Sequence, residues 1–158
     1  MRKAPLVVLV VVAVGGLVGC RKSEERKASP MAEMAKKCSH DSEISCPHPI
    51  FSVDDLKASE RYYKEALGFK LDWDYGDPPT FGSVSRGDGV LFLCQQCQGQ
   101  PGAWVMLFVR DIDKLHEEFV ERGARIKMPP TDMPWGLREM NVADLDGNIL
   151  RFGGHIDH

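Results

Sequence analysis

Basic charge is scarce in this chain: 20 Lys and Arg stand against 23 Asp and Glu over 158 residues. The shortage deepens in residues 47–158, where 12 cations face 18 anions for a balance of −6. Such a surface repels phosphate backbones and argues against a nucleic-acid partner, whereas a cationic ligand would be helped. Long apolar runs are also missing. Ala4 to Val18 is apolar apart from Pro5, Gly15 and Gly16, but a spanning helix needs roughly 20 such residues. Behind the cationic Arg2 and Lys3, this length suits the central region of a signal peptide.

The run closes on Leu17-Val18-Gly19-Cys20, which resembles the bacterial lipobox. That resemblance implies cleavage of residues 1–19 and diacylation of Cys20, with palmitate-type chains, giving a lipoprotein on the extracytoplasmic side of the cell envelope. The alternative is an uncleaved signal anchor. Cleavage removes two cations and no anion, so the formal charge moves from −3 to −5. Four cysteines then remain, Cys38, Cys46, Cys94 and Cys97. An even number outside the cytoplasm points to disulfides ahead of metal binding or catalysis.

Residues 20–46 mix charges with Ser and carry few large apolar side chains, so they read as a lipid-anchored flexible tether. From Pro47 the chain has a repeated grammar. A short strand ends at Val53, Asp55 opens a helix with Leu56, Ser59, Tyr63, Ala66 and Leu67 at helical spacing, and Gly68 stops it. Phe69, Leu71, Trp73 and Tyr75 then alternate with polar residues, as in a half-buried strand. "GDPP" is predicted to turn the chain, Phe81 to Arg86 to form a third strand, and Val90 to Cys94 a fourth.

The second half repeats this order. Ala103 to Val109 is a predicted strand, Asp111 caps a helix with Ile112, Leu115, Phe119 and Val120 on one face, and Gly123 ends it. Ala124 to Met128 is a strand, "PPTDMPWG" a long turn, Leu137 to Val142 a strand, "DLDG" a turn and Ile149 to Phe152 the last strand. Asp55 and Asp111 are offset by 56 residues and Gly68 and Gly123 by 55, so a βαβββ module is duplicated. Each module covers one sheet face with its helix and leaves the other open. Two modules are therefore expected to share open faces, within one chain or between two, as a curved eight-stranded mixed sheet of the α+β class around a crevice, helices outside.

"VDDLKASERYYKEALGF", "VRDIDKLHEEFVERGA" and "GLREMNVADLDGNILRF", in this order and spacing, resemble the vicinal oxygen chelate superfamily. It includes glyoxalase I, extradiol dioxygenases, fosfomycin-resistance enzymes and bleomycin-resistance proteins. Metalloenzymes of this group hold a divalent metal with one side chain from the first and one from the last strand of each module. Carried onto this sequence, those positions are His48, Phe92, Trp104 and Arg151. Only His48 can ligate, so the resemblance implies no conventional metal centre and no cofactor. It points instead to the metal-free branch, which sequesters a ligand in an aromatic crevice. A divergent lyase or dioxygenase using His48 and a divalent metal is the alternative. A non-catalytic interaction module, with the aromatic residues simply filling a core, is another.

Alternation places Trp104, Met106 and Phe108 on one face of the fifth strand, with Phe92 at the equivalent place on the fourth. Trp73, Tyr75 and Trp135 stand near the approaches. Broad aromatic walls suit a flat or amphipathic small molecule. Cys94 and Cys97 are expected to form a disulfide, with each other or with Cys38 or Cys46; a soft-metal site with His48 is the other option. "QGQPG" follows this CxxC, so it lacks the helix that would activate a redox thiol.

Arg151 depends on register. A three-residue loop Leu145-Asp146-Gly147, with Gly147 left-handed, pairs Asp144 with Asn148 and sets Glu139 diagonally beside Arg151. A slip of one residue would bring Arg138 to that face and turn two guanidiniums toward the crevice, favouring an anionic ligand.

Overall fold

The computed structural model describes residues 47–155. The expected signal peptide and tether, with Cys20, Cys38 and Cys46, lie outside the described residues. The first module runs β1 (Ile50–Val53), α1 (Leu56–Glu65), β2 (Lys70–Gly76), β3 (Pro79–Arg86) and β4 (Gly89–Gln95). The second runs β5 (Trp104–Phe108), α2 (Ile112–Glu121), β6 (Arg125–Asp132), β7 (Leu137–Ala143) and β8 (Ile149–His155). The predicted βαβββ duplication is present.

Among the described residues the strands form two four-stranded mixed sheets, ordered β1-β4-β3-β2 and β5-β8-β7-β6, rather than one continuous sheet, with no closed barrel. In each, the first strand pairs in parallel with the last, which a crossover helix makes possible. Both helices start the same way. Asp55 accepts from the Ala58 N–H and Asp111 from the Lys114 N–H, each at 2.9 Å, satisfying amides that the first turn leaves unpaired. Gly68 and Gly123 follow with positive φ, the left-handed stop that a side chain would oppose.

Leu56, Tyr63 and Leu67 from the first helical segment and Ile112, Leu115 and Phe119 from the second meet Leu91, Leu93, Leu150 and Phe152 in one continuous core. Each helix thus covers one face of its own sheet. Beside this shared core, a polar link between the modules centres on the β7–β8 turn. Buried Asp144 accepts from Tyr63 Oη at 3.1 Å and from the Asn148 amide at 2.8 Å. Asn148 Nδ2 donates to Ser52 O at 3.0 Å, its Oδ1 accepts from Ala103 N at 3.1 Å, and Asp146 accepts from Ser59 Oγ at 3.0 Å. "DLDGN" is therefore both a hairpin turn and a latch between modules.

Four expectations change. Pro79 belongs to β3, with the turn narrowed around a cis Asp77-Pro78 bond. Pro129 to Asp132 extends β6 instead of opening a long turn; β6 is an edge strand with a register irregularity between Met128 and Thr131, where missing proline N–H groups cost no ladder bond. In β2 the alternation breaks at a bulge between Leu71 and Trp73. Val120 is exposed, outside the buried stripe of Ile112, Leu115 and Phe119.

Candidate functional site

The open face of the first sheet is aromatic. Phe92 lies in β4 opposite Ser83, and Leu91 and Leu93 on either side of it point into the core. Its ring meets Phe81 at 5.5 Å and Trp73 at 5.6 Å, and His48 stacks on it at 5.2 Å with planes 12° apart. The β2 bulge allows neighbouring residues to serve this face together. Trp73 joins the rings, while Asp72 accepts from Ser85 Oγ at 2.8 Å and Ser83 Oγ at 3.2 Å. Asp72 was missed from sequence because strict alternation assigned it to the opposite face, whereas Phe81, Ser83 and Ser85 do alternate along β3 but were not assigned a face. Phe81 could have been found two strand positions before Ser83.

The open face of the second sheet combines rings with an ion pair. Met106 is in register with Arg151, and Asn141 pairs with Arg151 across the β7–β8 ladder. The first of the two registers is adopted. Arg151 Nε donates to Glu139 Oε2 at 2.7 Å, Trp135 Nε1 donates to Glu139 Oε1 at 2.7 Å, and the Arg151 guanidinium lies 5.5 Å from the Trp135 ring centroid. Glu139 is 1% exposed, so its charge is neutralised where water scarcely reaches. Asn141 Oδ1 is buried without a hydrogen-bond partner among the described residues.

Arg138 belongs elsewhere. It lies on the helix side of β7, where its guanidinium binds Asp113 of α2 and Asp132 of β6, so it does not join Arg151. Alternation is the reason: with Glu139 on the open face, Arg138 and Met140 face the other way. Tyr75, opposite Phe81 in the β2–β3 ladder, is exposed near the end of β2. Phe108 continues the alternation of Trp104 and Met106 along β5, is exposed, and also borders a cleft between the modules. Cys94 and Cys97 are joined to each other at the end of β4.

The four strand positions can be tested as a metal site. His48 and Phe92 do come together, and Trp104 stands two residues from Met106, the neighbour of Arg151. Phenyl, indole and guanidinium groups offer a cation no lone pair, so this donor set does not fit a divalent metal. Among the described residues, no three His, Cys, Asp or Glu side chains converge to hold one elsewhere.

A model of the Glyoxalase/Bleomycin resistance protein/Dioxygenase superfamily matches residues 45–152. The chain belongs to that superfamily. Among solved structures, TioX from Micromonospora sp. ML1 is 24% identical with a TM-score of 0.60, over 70% of this chain and all (100%) of that one. A superfamily member from Sphaerobacter thermophilus is 26% identical with a TM-score of 0.57, over 70% and 98%. Lactoylglutathione lyase from Agrobacterium tumefaciens shares the fold at 16% identity and a TM-score of 0.59, over 72% and 96%. No curated protein matches the chain. Within the superfamily fold, the rings and the Glu139–Arg151 pair occupy the sheet faces left open by the helices.

Proposed function

We propose that this superfamily member is a lipid-anchored, extracytoplasmic binding protein that holds a flat or amphipathic small molecule against its aromatic sheet faces, without a conventional metal centre and without turning it over. The observation that carries the reading is the ion pair at Arg151: a guanidinium neutralised by Glu139 stands where metalloenzymes of the fold place a carboxylate. The rings of Trp73, Phe81 and Phe92 supply broad apolar contact on the first sheet.

Exposure supports a homodimer in the same reading. Trp104 is 61% and Trp135 60% exposed, so the described residues leave the second sheet's open face uncovered, and a second copy would give the ligand an opposite wall. The expected result is that a panel of flat aromatic compounds contains one that raises the unfolding temperature of the full chain, and that Phe92→Ala and Trp104→Ala each weaken its binding. Stoichiometric bound Ni, Fe, Mn or Zn that a chelator removes would overturn the metal-free reading. Sedimentation as a monomer, with and without that compound, would overturn the dimer.

A further inference from the structure

A second cavity lies on the other side of the sheets. It has a volume of about 450 Å³ and opens between the β3–β4 turn of the first module and the β5–α2 segment of the second. Small-molecule pockets span roughly 300–1,000 Å³. Phe69, Leu107, Leu115 and Phe152 form its apolar part. Leu107 and Phe152 alternate with Met106 and Arg151 along β5 and β8, so this cleft and the open face lie on opposite sides of one sheet.

The charges around the cleft are not evenly committed. Arg86 donates to Leu67 O at 2.6 Å and to Glu118 at 2.7 Å, and Glu118 takes a second guanidinium from Arg122 at 2.9 Å. Asp111 is occupied as the cap of α2, accepting from the Lys114 amide at 2.9 Å. The side chains of Arg110, Lys114 and Asp88 line the cleft, and none makes a hydrogen bond or ion pair with a described residue. Arg110 and Lys114 thus stand without an ion-pair partner among the described residues, near the carboxylates of Asp88 and of the cap Asp111 and beside the positive end of the α2 dipole, in a domain whose overall balance is −6.

We propose that this cleft is a binding site for a small amphipathic carboxylic acid, its apolar body against Phe69, Leu107, Leu115 and Phe152 and its carboxylate between Arg110 and Lys114. A planar guanidinium and an ammonium together match a carboxylate in charge and geometry. The site is independent of the ligand assigned to the open faces.

The test is calorimetric titration of the full chain with 1-naphthaleneacetate and with its neutral amide, two probes that differ in the charged head. The acid is expected to bind about tenfold more tightly than the amide, as a charge-assisted contact would give. Arg110→Gln/Lys114→Gln should remove that preference without changing the unfolding temperature, and Trp104→Ala should leave it intact. Equal affinity for the two probes, no binding of either, or a preference that survives the double substitution would overturn the proposal. Loss of acid binding in Trp104→Ala would place the probe on the open face and overturn it too.

Discussion

Arg151 and Glu139 stand diagonally across the β7–β8 ladder, Nε to Oε2 at 2.7 Å, with Trp135 Nε1 bound to the other carboxylate oxygen. Both oxygens of a 1% exposed carboxylate are therefore engaged. Glu139→Gln should keep an acceptor for Trp135 but leave Arg151 without a counter-charge, at a cost of about 1–3 kcal/mol. Arg151→Gln strands the more deeply buried partner and should cost at least as much. The double substitution should cost less than the sum by about 1 kcal/mol or more, read from urea unfolding of all four proteins. Simple additivity would mean that the pair contributes nothing as a pair.

Much of this was legible in the sequence, for identifiable reasons. Asp55 and Asp111, Gly68 and Gly123 are local signals whose meaning does not depend on distant contacts, so the duplicated module could be read directly. Gly147 fixed the last hairpin for the same reason: its φ of 83° is the conformation the three-residue loop needs. That register in turn placed Glu139 beside Arg151. The bulge at Asp72 and the continuation of edge strand β6 past Pro129 and Pro130 to Thr131 were not legible, because each depends on a neighbouring strand. The cleft beside Arg110 was hidden more completely, since it is assembled from both modules.

A pH dependence follows from Glu60. It is buried, Lys57 Nζ donates to Oε2 at 2.9 Å, and Oε1 has no partner among the described residues. Burial raises its pKa, and the Lys57 hydrogen bond only partly opposes this. The folded state thus holds the proton more tightly than the unfolded state. Its contribution to stability is full below the ordinary carboxylate range, about pH 4, and is lost as pH rises through the raised value. Glu60→Gln cannot ionise, so its unfolding temperature should fall less than the native protein's between about pH 4 and pH 7. Parallel profiles would contradict this; Asp144, raised by burial too, should supply the decline that remains.

The Cys94–Cys97 bridge closes a loop with a sequence separation of only 3, so it restricts the unfolded chain little. In the chain-entropy account a loop this short is worth about 2 kcal/mol. Its position adds a local role. Gln95, between the two cysteines, accepts from the Leu56 amide at 3.0 Å and so helps to start α1. Reduction should lower stability by about 2 kcal/mol in denaturant unfolding, with the largest rise in amide exchange at the first turn of α1. An unchanged exchange rate there would separate the bridge from the helix start.

The last prediction concerns Asn148, which is fully buried and bonded in three directions: to Ser52 O in β1, to the Ala103 amide before β5, and to Asp144 within its own turn. Asn148→Ala removes a donor and an acceptor together and leaves the Ser52 carbonyl and the Ala103 amide short of partners. Because these groups lie on different modules, the loss should fall on the junction rather than on either sheet. About 2–4 kcal/mol of destabilisation is expected, from unmade buried hydrogen bonds plus the cavity. Asn148→Asp retains the acceptor for Ala103 but puts a second carboxylate beside Asp144, so it should be worse at neutral pH than at pH 4. Denaturant unfolding of both variants at the two pH values checks this. If Asn148→Asp is no more pH-sensitive than Asn148→Ala, the turn does not hold Asp144 and residue 148 in a shared, water-poor site.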